Sequence, residues 1–314
     1  MAIHTILGAN GTIGSALLPI LRQNQQQIRL ASRNPQKTHG VENIKADVLN
    51  YGDVLSAVKG SDIVYLLVGI QYDAQIWARD WPTIINNVIK ACKSTGAKLV
   101  FFDNAYMYGK VDWPITEDTP YRPISKKGAV RAKVAKTLQE EMEKGSIQAI
   151  IARAVDFYGP GVVEKSAPGL LVFSNLKKKK RAQWLINSGV PRAFNYVPDA
   201  AKALYLLATT EAAYNQIWHL PTAPQALTGK EFVTEVAKHM GTSAKPFVLP
   251  KWLLKTVGLF NPFIREMNEL SYQDEYPFEF DSSKFINTFN FTPTSYQEGI
   301  RLTAEWFKEE YESQ

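Results

Sequence analysis

Cysteine is almost absent: Cys92 is the single one in 314 residues, which excludes a disulfide framework and a cysteine-rich metal site. It lies in an apolar helical pattern, and a reducing, cytoplasmic setting is expected. Histidine is scarce as well. His4, His39, His219 and His239 are scattered without metal-ligand spacing, so no metal site is expected. No run of about 20 uninterrupted apolar residues occurs, which excludes an ordinary spanning helix, and the first strand starts without a charged leader, so no targeting segment is expected. Repeats, low-complexity tracts, an obvious linker and a nucleophile-elbow pattern are also lacking. The net charge of +6 has no long basic tract behind it. The largest run, Lys177-Lys-Lys-Lys-Arg181, has no interleaved aromatics and reads as a solvated loop or helix end. Neither nucleic acid nor a membrane is expected as a partner.

What is present is a chain of ordinary globular composition, 45% hydrophobic and 11% aromatic, long enough for about two domains. Its most informative segment is Ile6-Leu-Gly8-Ala-Asn10-Gly11-Thr12-Ile13-Gly14, placed where a first strand should turn into a first helix. Glycines at that spacing let main-chain N–H groups approach a pyrophosphate and let the helix pack close to the sheet. The helix N-terminus then faces the anion with its partial positive charge.

Alternation of strands and helices continues along the chain. Helical patterns are expected over 15–21, 53–58, 81–94 and 126–144, and strands over 27–32, 44–48, 62–69, 98–102 and 148–152. The continuous apolar run of 62–69 is the kind that is buried on both faces of a parallel sheet. Fold class is therefore α/β, a Rossmann-type doubly wound parallel sheet. Residues 1–155 are assigned to it, with later chain contributing elements, and 156–314 mainly to a smaller carboxy-terminal lobe over the substrate. Helices are expected there at 200–209 and 230–240.

At the end of the second strand an NAD-specific site would carry an acid for the ribose hydroxyls. Ser32 and Arg33 stand there instead, with Lys37 nearby. A guanidinium suits a ribose 2′-phosphate, so NADP(H) is favoured over NAD(H).

These segments together resemble the extended branch of the short-chain dehydrogenase/reductase superfamily, the NAD-dependent epimerase/dehydratase-like proteins. Leu7-Gly-Ala-Asn-Gly-Thr-Ile-Gly14 looks like that family's glycine loop, Asp47-Val48 like its adenine-flanking pair, and Tyr65-Leu-Leu-Val68-Gly69 like the strand that runs up to the cofactor. Arg153-Ala-Val-Asp-Phe-Tyr-Gly-Pro-Gly161 and Tyr196-Val-Pro-Asp199 are similar to two later signatures. The resemblance implies a homodimer through the two long helices near 81–94 and 128–144.

It also implies catalytic residues that this chain lacks. A Ser or Thr is expected shortly before a Tyr-Gly pair, followed by a Tyr-x-x-x-Lys helix in which the lysine lowers the tyrosine pKa for proton exchange. Tyr108-Gly109 matches, but Asn104 occupies the hydroxyl position. Aligning the apolar residues of the following helix puts Lys127 and Arg131 in register; ungapped counting puts Ala129 and Lys133 there. Neither supplies a tyrosine.

Three readings follow. Tyr106 or Tyr108 donates the proton, helped by Lys127, Arg131 or Lys133; Asn104 polarises a carbonyl; or the dinucleotide is bound without chemistry, as in a redox sensor. The first choice is an oxidoreductase on a carbonyl/alcohol pair of a small molecule. A sugar-nucleotide epimerase is a further alternative, less favoured because no diphosphate-binding arginine cluster is visible. Trp77 and Trp81 are candidates for a substrate-pocket wall.

Overall fold

The computed structural model describes residues 2–112 and 114–310, apart from the side chains at 262 and 263. Strand β1 (Ile3–Leu7) pairs in parallel with β2 (Gln27–Ser32) on one side and β4 (Ile63–Leu66) on the other, with β3 (Glu42–Lys45) beyond β2. Next to β4 come β5 (Lys98–Asp103) and β6 (Ala149–Arg153). The chain then leaves the sheet through β7 (Phe157–Tyr158), β8 (Gln183–Leu185) and β9 (Asn195–Tyr196), returns at β10 (Gln216–His219), and forms β11 (Phe247–Leu249) outside it. The central sheet thus runs β3-β2-β1-β4-β5-β6-β10, all parallel. Its order reverses between β1 and β4, where the carboxyl ends open a crevice.

Helices α1 (Thr12–Gln23), α2 (Tyr51–Val58), α3 (Ala74–Thr95) and α4 (Lys126–Glu143) precede the short α5 (Ser174–Lys177). They are followed by α6 (Val197–Thr209), α7 (Gly229–His239), α8 (Lys251–Phe260), α9 (Pro262–Asn268), α10 (Ser283–Phe289) and α11 (Tyr296–Glu309). Leu17, Leu21, Leu204 and Leu207 bury α1 and α6 on one face of the sheet. Val54, Ile85, Val88, Val134 and Leu138 bury α2, α3 and α4 on the other. Beyond the sheet, Trp184, Phe194, Phe232, Tyr296 and Phe307 join β8, β9, α7 and α11 in a separate aromatic core. His4 on β1 is buried with Nδ1 3.0 Å from the Tyr65 hydroxyl, and burial pulls its pKa down to about 4.

Three boundaries differ most from the sequence expectation: β3 ends at Lys45 and not at residue 48, and β4 and α3 are displaced as well. Strand β4 stops at Leu66: Leu67 N–H still donates to the Leu7 carbonyl at 2.9 Å, and the backbone of Leu67 and Val68 then passes close over Gly8. Helix α3 begins at Ala74, not residue 81. Proline favours the first turn of a helix, which makes Trp81-Pro82 read as a start. In the fold, Asp73 caps the helix, accepting from the N–H groups of Gln75 and Ile76 at 2.8 and 3.0 Å, and Pro82 lies inside it.

Candidate functional site

The glycine loop is shaped by close approach. A Cβ on Gly8, which has φ of +92°, would stand 2.9 Å from the backbone of Leu67 and Val68; one on Gly14 would stand 2.7 Å from the Ala9 carbonyl oxygen. The N-cap of α1 is Gly11, so no side chain caps the first turn, and no acid lies in it. Thr12, Ile13 and Gly14 therefore offer main-chain N–H groups at a positive helix end, the fit a pyrophosphate requires.

Around this loop stand the other residues proposed for a dinucleotide. Asn10 donates to the Asn34 carbonyl at 2.9 Å, tying the loop to the turn after β2 where Ser32 is half-buried and Arg33 exposed. Asp47 follows β3, its N–H held by Asp53 at 2.9 Å, and Val48 accepts from Asn87 at 3.0 Å. Val68 follows β4 beside Gly8, with Gly69 next in the chain.

The end of β5 has a different character. Asp103, fully buried, accepts from Arg131 Nε at 2.8 Å and from Arg131 Nη2, with Arg153 Nε at 3.5 Å. Arg131 also lies over the rings of Trp81 at 4.1 Å and Phe101 at 4.9 Å. Asn104 turns its Oδ1 to the Tyr106 N–H at 3.1 Å. The Tyr108 hydroxyl accepts from Arg153 Nη1 at 2.6 Å and lies 2.7 Å from His219 Nε2. His219 Nδ1, 2.6 Å from the Asp281 carbonyl, must be its protonated nitrogen, so Tyr108 donates to Nε2. Burial holds His219 neutral, its pKa down to about 3, and raises the Tyr108 hydroxyl. Tyr108 is thus enclosed in a buried chain of polar contacts.

Helix α4 settles which residues face that chain. Ser125 caps it, accepting from Gly128 N–H at 3.0 Å. Lys127 and Arg131, one turn apart, are buried, whereas Ala129 and Lys133 are exposed. Lys127 Nζ donates to Glu266 Oε2 at 2.5 Å, to Glu269 Oε2 at 3.0 Å and to the Glu266 carbonyl at 3.1 Å, while its own N–H donates to Glu269 Oε1 at 2.7 Å. The ammonium also lies 4.6 Å from the centre of the Tyr72 ring. Tyr72 reaches Tyr106 hydroxyl to hydroxyl at 3.5 Å, and Tyr106 stacks on Trp77. Glu266 Oε2 additionally accepts from the first amide of α3, at Ala74, at 2.9 Å. From outside, a cleft of about 590 Å³ bounded by Asp73, Gln75, Lys126, Val130 and Arg265 opens onto Glu266.

Lys127, Tyr106, Asn104 and Arg131 therefore share one end of the sheet; Lys133 does not, and Tyr108 is turned into the core. Sequence reasoning missed Asp103, Tyr72, Glu266 and Glu269. The two glutamates, three apart at the end of an apolar aromatic stretch, were the available signal. Across the lobe, Arg192 is paired with Asp274 and lies 3.7 Å from Asp156.

Residues 4–219 match the model of the NAD dependent epimerase/dehydratase family. A curated relative, an uncharacterized UDP-glucose epimerase of Bacillus subtilis (strain 168), is 22% identical over 210 residues, covering 64% of this chain and 63% of the relative. The chain thus spans less than two thirds of that relative's length. Among solved structures, the UDP-glucose 4-epimerase of Thermus thermophilus in complex with NAD superimposes with a TM-score of 0.79 at 19% identity, covering 99% of this chain and 100% of that one. A dTDP-glucose 4,6-dehydratase double mutant of Streptomyces venezuelae gives 0.81 at 15% identity, covering 99% and 98%. At such identities the likeness establishes the fold.

Proposed function

The chain belongs to the NAD dependent epimerase/dehydratase family, and on that premise we propose that it is a dinucleotide-dependent oxidoreductase of a small-molecule carbonyl/alcohol pair in which Lys127 takes the missing tyrosine's place. The loop from Gly8 to Gly14 would hold the pyrophosphate, Asp47 and Val48 the adenosine side, and Val68, Gly69 and Asn104 the nicotinamide side. Arg33 with Ser32 would select the 2′-phosphate of NADP(H). When bound, the nicotinamide supplies or accepts a hydride.

The observation that carries this reading is the fully buried Lys127 ammonium, aligned with Arg131 on the inward face of α4 and shared between two carboxylates. A lysine has three N–H donors and no acceptor. Of its three partners the Glu266 carbonyl is the longest, at 3.1 Å, and is the one a substrate oxygen would replace. Lys127 would then donate a proton to that oxygen as it gains charge, and Glu266, reached by the outer cleft, would return one from solvent. Asn104 and Tyr106, at the same end of the sheet, would line the approach. Tyr108, held by Arg153 and His219, serves as a strut.

Titration with NADPH and NADH, followed by a screen of carbonyl substrates, tests the proposal. Turnover that falls in Lys127→Met while cofactor affinity holds is expected. Tight cofactor binding with no turnover across a broad panel would overturn the oxidoreductase reading in favour of a redox-sensing protein.

The relatives' names favour a second reading, sugar-nucleotide epimerisation. Against it, Arg192 in the lobe is engaged by Asp274 and Asp156 and is not free to hold a nucleotide diphosphate. Interconversion of UDP-glucose and UDP-galactose by the purified chain would establish the second reading over the first.

A further inference from the structure

Helix α8 presents the wrong face to water. Its inner side, Leu254 and Gly258, packs on α9, and Asn268 of α9 donates to the Leu254 carbonyl at 2.8 Å. The outer side carries Trp252, Leu259 and Phe260, which are 67%, 75% and 86% exposed, the most exposed large apolar side chains among the described residues. A solvent-facing helix ordinarily turns polar residues outward, and concentrated apolar exposure marks an interaction surface.

The segment that carries this face has charge of one sign. From Thr242 to Arg265 the sequence carries Lys245, Lys251, Lys255 and Arg265 and no acid. The glutamates that follow are engaged: Glu266 and Glu269 hold Lys127, and Glu275 takes Lys251. The fold adds the basic run at 177–181, which in the sequence reads as a solvated loop. Strand β11 pairs with β8, Phe247 N–H bonds to Ala182 at 2.8 Å, and the Arg181 guanidinium covers the Phe247 ring at 4.8 Å. Lys178, Lys179, Lys180 and Arg181, all exposed, thereby stand at the start of the strand whose far end leads into α8.

We propose that this face docks peripherally on an anionic lipid surface, with Trp252, Leu259 and Phe260 entering the headgroup region and the lysines of 178–180 and 255 meeting lipid phosphates and carboxylates. An apolar helix face flanked by cations has the chemistry of interfacial membrane binding. Nucleic acid would leave the three apolar side chains without a partner.

Flotation of the full chain with vesicles of phosphatidylcholine containing about 30 mol% phosphatidylserine tests this. Binding to these vesicles, little to pure phosphatidylcholine, and release by raised salt are expected. Leu259→Glu with Phe260→Glu should lower partition at least tenfold. Charge reversal at Lys178, Lys179 and Lys180 should lower it about fivefold per position or more. Both variants should keep wild-type melting behaviour and cofactor affinity. Equal partition of variants and wild type, no flotation at all, or a dimer in light scattering that Phe260→Glu dissolves would each overturn the proposal, the last by assigning the face to self-association.

Discussion

The two ends of the crevice are built from different materials. At β1, β2 and β4 the main chain defines the surface: a glycine turn, an uncapped helix start and carbonyls in close approach, with few charged side chains. At β5 and α4 side chains define it: Asp103, Arg131, Arg153, Lys127, Glu266 and Glu269, every one paired. A main-chain surface tolerates exchange of nearby side chains and fails when Cβ atoms are added. A paired-charge surface does the reverse, since removing one partner leaves another charge buried without compensation.

The sharpest way to break this comparison is at Lys127. Lys127→Met should reduce kcat by about 10²–10⁴-fold, the range for a lost general acid, with little change in dinucleotide Kd by fluorescence titration. If turnover survives, the paired end is scaffolding alone. Asp103→Ala strands Arg131 and Arg153 in the core and should cost about 3–5 kcal/mol in chemical denaturation. At the other end, Gly14→Val should weaken dinucleotide binding by about a hundredfold or more through the clash with Ala9, whereas Thr12→Ala should leave it nearly unchanged. Arg33→Ala, at an exposed position, should cut the NADPH over NADH preference by about tenfold and leave stability alone.

The mildest test is pH. His4 and His219 have folded pKa values of about 4 and about 3, both depressed by burial. Below the unfolded value near 6.5 the unfolded chain binds protons that the folded chain refuses. Melting temperature should therefore hold from neutrality to about 6.5 and fall steadily from there toward pH 4. A His219→Gln variant should show a shallower fall. An unchanged slope would mean that His219 is already charged in the fold and that the Tyr108 contact is not the one described.

The same contrast explains what could be read in advance. A main-chain device announces itself locally: Gly8, Gly11 and Gly14 carry their geometry in their spacing, as does the strand–helix alternation that follows them. The boundaries at β4 and α3 were decided by where Leu67 and Val68 pass over Gly8 and by Asp73 capping ahead of Pro82, and the end of β3 slipped as well. The Lys127 cluster was out of reach because its bonds span 139 and 142 residues, and no periodicity on α4 says which carboxylates will meet it. The alternation of buried and exposed positions, with Lys127 and Arg131 in and Lys133 out, needed the packed helix.

Glu266 grips two things with one oxygen, the Lys127 ammonium and the amide that begins α3. A proton on that amide can leave for solvent only while the grip is open. Ala74 is thus a clock within the molecule: its hydrogen–deuterium exchange rate counts how often Glu266 lets go, with no substrate or cofactor required.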